Sequence, residues 1–307
     1  MIRENKILSG QLLEADFYPV FADGRRMPAR ADKAKRSTDE QIKYNRSKSI
    51  KHIVRMVNTN YKSHEDYFAH FTFDAKNAPE TVKDARRLFK NYIERIKRRR
   101  AREAKALHKR LAKLFDMLTR DPENSLLLDA IKDVKGKLRK LESEFKCLYF
   151  IEENVYKRGE RAGMHTFHIH AFMSGGIASA VLEDMWGLGT VNCRNYQPEK
   201  FGVEAAAKYV SKELSADKRP GYIGHHDKPK KLKPKDGKIS PVGVKNLAEK
   251  RCDDREYWEK RYPGYRFIKC YARHNQYNGY HYVSVIMWRG SEEPPPWTIS
   301  EDEWVNV

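Results

Sequence analysis

Residues 164–173 read MHTFHIHAFM, an apolar stretch interrupted by two histidines two positions apart. Alternate side chains of a β-strand share a face. Phe167, Ile169, Ala171 and Met173 therefore make one apolar face that accounts for core packing, while His168 and His170 stand on the other. At about 3.3 Å per residue the two imidazoles lie about 6.6 Å apart along the chain, close enough to lean onto one ion. His165 falls on the Phe167 face or in the preceding turn. A pair of histidines on a solvated sheet face is the plainer explanation of an isolated H-x-H, so the neighbours must decide. The preceding run, KCLYFIEE (146–153), is a second strand, joined to the first by the polar, glycine-containing YKRGERAGM, and the two predict a β-hairpin. That hairpin carries Glu152 toward the histidines, with Glu153 as the alternative if the register slips by one. Two imidazoles and one carboxylate form a mixed nitrogen and oxygen donor set. It suits Mn²⁺ or Mg²⁺ better than a closed zinc site, which would want thiolates.

Upstream, DYFAHFTFD (66–74) alternates, with Tyr67, Ala69, Phe71 and Phe73 on one side and Phe68, His70, Thr72 and Asp74 on the other, which predicts a strand. Ser37 and Glu40 read as a capping box opening a basic helix that ends near Asn58, preceded by a short strand-like opening. From Pro79 the spacing turns helical through Ala85, Phe89, Tyr92 and Ile96. Leu107, Leu111, Leu114 and Leu118, a break at Asp121-Pro122, and Leu127, Ile131, Val134, Leu138 and Leu141 then describe an antiparallel helical hairpin over 98–144. A solvated charged arm is its plainer reading, a dedicated contact for DNA or a partner protein the other. Downstream come a strand at 190–196, the Ala-rich helix FGVEAAAKYVSKELSA, a Pro-broken basic loop (HHDKPKKLKPKDGKIS), and strands near 266–273 and 280–289 turning at Asn278-Gly279. The acidic end, SEEPPPWTISEDEWVNV, reads as loosely ordered.

With 307 residues, 40% of them hydrophobic, the chain can bury a sizeable core, and its formal net charge of +19 points to a polyanionic partner. No run of about 18 apolar residues is present to span a bilayer, and MIRENKILSG lacks the apolar stretch of a secretion signal. Cys147, Cys193, Cys252 and Cys270 make no C-x-x-C pair, so neither a zinc ribbon nor a disulfide framework is suggested and a cytoplasmic, reduced chain is expected.

On the helix EAAAKYVSKEL, Tyr209 and Lys212 are three apart and share a face, with Ala205, Ala206 and Ala207 leaving the preceding turn slim. A polynucleotide backbone can approach such a phenol closely, and a nearby lysine stabilises phenolate or phosphate charge. In chain order, FAHFTF (68–73), HIH (168–170) and YVSK (209–212) resemble the three motifs of the HUH endonucleases, in particular the rolling-circle replication initiator (Rep) proteins of bacterial plasmids, integrative elements and single-stranded DNA phages. The likeness covers roughly 1–97 and 145–216; His70 departs from it, standing where the first motif usually has a small hydroxyl residue, and the hairpin 98–144 looks like an insertion.

The resemblance implies an α+β fold with a central antiparallel sheet flanked by helices. Its expected organisation is an N-terminal strand and basic helix (1–60), an endonuclease core (61–216), a basic loop with C-terminal β elements (217–290) and an acidic tail (291–307). It further implies that His168, His170 and Glu152 bind a divalent metal and that Tyr209, assisted by Lys212, nicks single-stranded or hairpin origin DNA through a 5′-phosphotyrosine. DNA contacts are expected from Thr72, His70, Arg98, Arg99, Lys230 and Lys231, and more broadly from the 37–55 helix, the Lys83 to Arg100 helix and the 228–238 loop. No G-x-x-x-x-G-K-[ST] is present, so unwinding falls to a host helicase, as extension falls to a host polymerase. Conjugative relaxases usually place their tyrosine before the histidines, and single-tyrosine HUH transposases typically carry a glutamine where Lys212 stands. A non-catalytic DNA- or RNA-binding protein is the alternative outside the enzymes.

Overall fold

A computed structural model describes residues 1–21, 39–155, 163, 165–202, 220–276, 278–290 and 293–304. The fold is α+β, with two antiparallel sheets flanked by helices, as expected of its class. The described residues divide into two compact units, one from 1–60, 197–202 and 227 onward, the other from 61–196 and 220–226.

In the first unit the two N-terminal strands share a sheet with the strands at 265–275 and 280–289. Strands β1 (Ile2–Ser9) and β2 (Leu12–Pro19) form a hairpin. Its turn needs Gly10, whose φ is +60° and whose place leaves no room for a Cβ, since one would stand 2.0 Å from the Asn58 carbonyl oxygen. Helix α1 (Asp39–Asn60) runs two residues beyond the expected end, and Ser37 of its expected capping box lies outside the described residues. The basic loop is only partly a loop. Its Lys230–Lys231 and Lys235–Asp236 stretches pair with β1, closing that sheet edge. Strands Tyr265–Asn275 and Tyr280–Arg289 extend the sheet beside β2, with Gly279 at φ +71° in their turn. The acidic end docks where loose order was expected, because its apolar residues outweigh its charge. Trp304 is fully buried with the Lys51 ammonium 4.9 Å from its ring centre, and Trp297 donates to the Tyr271 hydroxyl at 2.8 Å.

The second unit carries a five-stranded sheet. Across it run Val191–Asn195 (β6), Tyr67–Thr72 (β3), His165–Met173 (β5), Cys147–Val155 (β4) and Gly221–Ile223 (β7), all antiparallel. The expected β4–β5 hairpin is present and β5 is the central strand. One face packs on helix α2 (Val82–Arg120) through Ala69, Phe71, Phe89, Tyr92, Ile96, Tyr149, Ile151, Phe167 and Ile169, with Trp186 closing the cluster. Helix α2 is continuous from sheet to arm tip, capped at its start by Thr81, which accepts from the Asp84 amide. Helix α3 (Ser125–Glu142) returns along it through Ile131, Val134, Leu138 and Leu141, completing the expected hairpin; it starts three residues after the Asp121-Pro122 break, with Asn124 as its N-cap. Among the described residues no helix is long and apolar enough to cross a membrane.

Candidate functional site

Strand alternation leaves the second face of this sheet to other side chains. At one end it is aromatic, with Phe172 packed among Tyr61, Phe68 and Tyr196 at ring-centre distances of 5.5, 4.9 and 5.5 Å. At the other it is imidazole and carboxylate. The register sets Thr72 and Glu152 beside His168, and His70 and Phe150 beside His170. His170 donates through Nε2 to the Glu152 carboxylate at 3.1 Å. Glu153 turns to the opposite face and pairs with His165 Nδ1 at 2.6 Å, so Glu152 is the carboxylate that meets the H-x-H pair.

Expected as a DNA contact, His70 lies with its ring against both candidate ligands. Its centre is 5.2 Å from that of His168 and 4.5 Å from that of His170, nearly parallel to each. Burial, followed by the proximity of His170 and His168, pushes its pKa down to about 4, and burial likewise lowers His170. Both rings are therefore neutral near pH 7, the form that binds metals. Burial works against ionisation of Glu152, yet its hydrogen bond and charge interaction with His170 prevail and hold it below the usual carboxylate range. Thr72 fixes the strand end: its hydroxyl donates to the Thr190 carbonyl at 3.1 Å and accepts from the Thr190 amide at 3.2 Å, while Trp186 donates to its carbonyl at 2.9 Å.

The donor chemistry of His168, His170 and Glu152 suits a divalent cation, and His168 Nδ1 is buried without a hydrogen-bond partner. Even so, among the described residues no three His, Cys, Asp or Glu side chains gather into a group that could hold a metal ion. The glutamate bonds to one imidazole, and His70 stacks on both rings.

The other expected contacts lie elsewhere. Arg98 and Arg99 are on α2, behind the sheet from the histidines, and Arg99 is ion-paired to Glu103 at 2.6 Å. Lys230 and Lys231 are exposed on the β1 edge of the first unit's sheet. Tyr209 and Lys212 fall outside the described residues, as does the helix expected around them beyond its first two residues, Phe201 and Gly202. Two features were missed in the sequence. Tyr61 donates to His226 Nε2 at 2.8 Å, with His226 Nδ1 donating to the Gly224 carbonyl at 3.1 Å. Arg100 is buried at the base of the arm, and the apolar rhythm from Phe89 through Ile96 to Ala104 and Leu107 marks its place. Comparison with protein-family models, with curated proteins and with solved structures gives no match.

Proposed function

We propose that this chain is a metal-dependent endonuclease that nicks and rejoins single-stranded DNA through a tyrosine nucleophile, initiating rolling-circle replication. The observation that carries this reading is the placement of His168, His170 and Glu152 together on the one sheet face that the helix-packed core does not use. The motif order FAHFTF, HIH, YVSK supports it from the sequence. Mn²⁺ or Mg²⁺ held by these three residues would polarise the scissile phosphate and offset charge developing on it.

The chain's own residues do the rest. His170, neutral near pH 7, and His168 present ring nitrogens, Glu152 supplies negative charge, and the His70 ring stacks on both imidazoles. The Tyr209 oxygen forms a bond to phosphorus in line with the bond to the 3′-oxygen, which breaks; the phenolic proton leaves and the 3′-oxygen gains one. The product is a 5′-phosphotyrosine and a free 3′-hydroxyl. Attack by another 3′-hydroxyl reverses the exchange and reseals the strand without ATP. Lys212 neutralises the phenolate. Origin DNA in hairpin or single-stranded form is the substrate, and host helicase and polymerase act on the product.

The ungathered donor set favours one second reading, a nucleic-acid-binding protein without catalysis. The test is incubation with Mn²⁺ and hairpin or single-stranded oligonucleotides, followed by denaturing electrophoresis. A covalent adduct that Tyr209→Phe and His168→Ala abolish, while DNA binding persists, supports nicking. Binding without adduct under every metal supports the second reading.

A further inference from the structure

The outer face of the arm carries a track of charge that the sheet site does not explain. On α2, Arg98, Arg102, Lys105, Lys109 and Lys113 recur at helical spacing on the side opposite Ile96, Leu107 and Leu114, which pack on the core. All five are exposed, and none forms an ion pair or hydrogen bond among the described residues. Their neighbours differ: Lys97 pairs with Glu94 at 2.8 Å, Arg99 with Glu103 at 2.6 Å and Arg120 with Asp116 at 2.9 Å. Between Glu94 and Asp116 the only acid is Glu103, which faces Arg99. The shoulders of the row are the exposed alanines Ala101, Ala106 and Ala112, which let a backbone come close to the helix.

We propose that this face of α2 binds the phosphate backbone of double-stranded DNA. From Arg98 to Lys113 the row is straight and about 22 Å long at about 1.5 Å per residue, roughly two-thirds of the rise of one duplex turn. A rigid row of cations meets a rigid, evenly charged duplex without ordering it, whereas single-strand binding relies on aromatic platforms and the row has none. DNA rather than RNA rests on the nickase reading, in which a duplex stem flanks the cleavage site. The arm's place on the far side of its sheet from the histidines then assigns duplex and cleaved strand to different surfaces of the unit.

The test uses the full chain in EDTA, so that no cleavage is required. Binding to a 20-base-pair duplex is followed by fluorescence anisotropy across a salt series for wild type, for Arg102→Gln/Lys105→Gln/Lys109→Gln/Lys113→Gln, and for a charge-matched control on α3, Lys132→Gln/Lys135→Gln/Lys137→Gln/Arg139→Gln. At about 0.9 counterion per phosphate contact, the α2 variant should lose about 3.6 from the slope of log K against log salt. The α3 control should change by less than about 1, and the pair Lys105→Gln/Lys109→Gln by about 1.8 with helicity retained. An unchanged slope, an equal fall in the control, an equal loss on a single strand of the same length, or tighter binding of duplex RNA overturns the proposal. Absence of nicking by wild type would leave this result standing and sink only the catalytic reading.

Discussion

Arg98, Arg99 and Arg100 are adjacent in sequence, and their replacement should separate a structural arginine from solvated ones. Arg100 is 4% exposed, and its guanidinium donates to the Gly175 carbonyl, to the Lys140 carbonyl at 2.7 Å and to the Ser143 carbonyl at 2.9 Å, with the Phe145 ring centre 5.4 Å away. It thus ties α2 to the end of α3 and to the turn after β5. Arg100→Met keeps the alkyl packing and leaves three carbonyls without their donor, at about 1 kcal/mol or more each. Relief of the buried charge offsets part of this, since burial already lowers the Arg100 pKa. The net expectation is a loss of about 3 kcal/mol, or roughly 6–12 °C in the melting temperature of this unit. Arg99→Met removes only an exposed i,i+4 pair and should cost about 0.5 kcal/mol or less. Urea unfolding followed by tryptophan fluorescence reads both. A loss below about 1 kcal/mol for Arg100→Met, or equal losses for the two, would refute the assignment of Arg100 as the clamp at the base of the arm.

In the first unit, the Glu14 carboxylate is fully buried and held by Arg55 through contacts of 2.6, 2.9 and 3.2 Å. Arg55→Met strands that charge and should destabilise by about 3–5 kcal/mol, with Arg55→Met/Glu14→Gln recovering part of it in calorimetry. On the histidine face the folded pKa values of His70 and His170 lie below the ordinary histidine range, so the unfolded chain binds more protons as acid is added. Stability of the protein in EDTA should accordingly fall as pH drops from about 6.5 toward 4, and His70→Gln should flatten that fall; an unchanged profile would contradict the burial of the ring.

Strand β5 and its partners were legible because alternation is a local property: the apolar set at 167, 169, 171 and 173 fixes one face and the histidines inherit the other. The helical hairpin was legible from its leucine rhythm. What escaped was decided by long-range pairing. Nothing near Leu12 or Val285 in sequence says that these strands share a sheet, or that a proline-broken lysine loop can lend four residues to its edge. The tail's charge hid the two tryptophans that dock it. Arg100 follows two exposed arginines in sequence, and only its place in the apolar rhythm sets it apart. Glu152 over Glu153 needed the observed register, and no sequence pattern indicated that His70 would stack on both imidazoles.

The most direct measurement concerns the phenol at 209. Protein incubated with Mn²⁺ and a hairpin or single-stranded DNA library, digested with trypsin and nuclease, should yield one peptide carrying a nucleotide, with tandem mass spectrometry placing a 5′-phosphate on Tyr209. A nucleotide on another residue, or an unmodified Tyr209 peptide from protein that demonstrably binds the same DNA, would contradict the nickase.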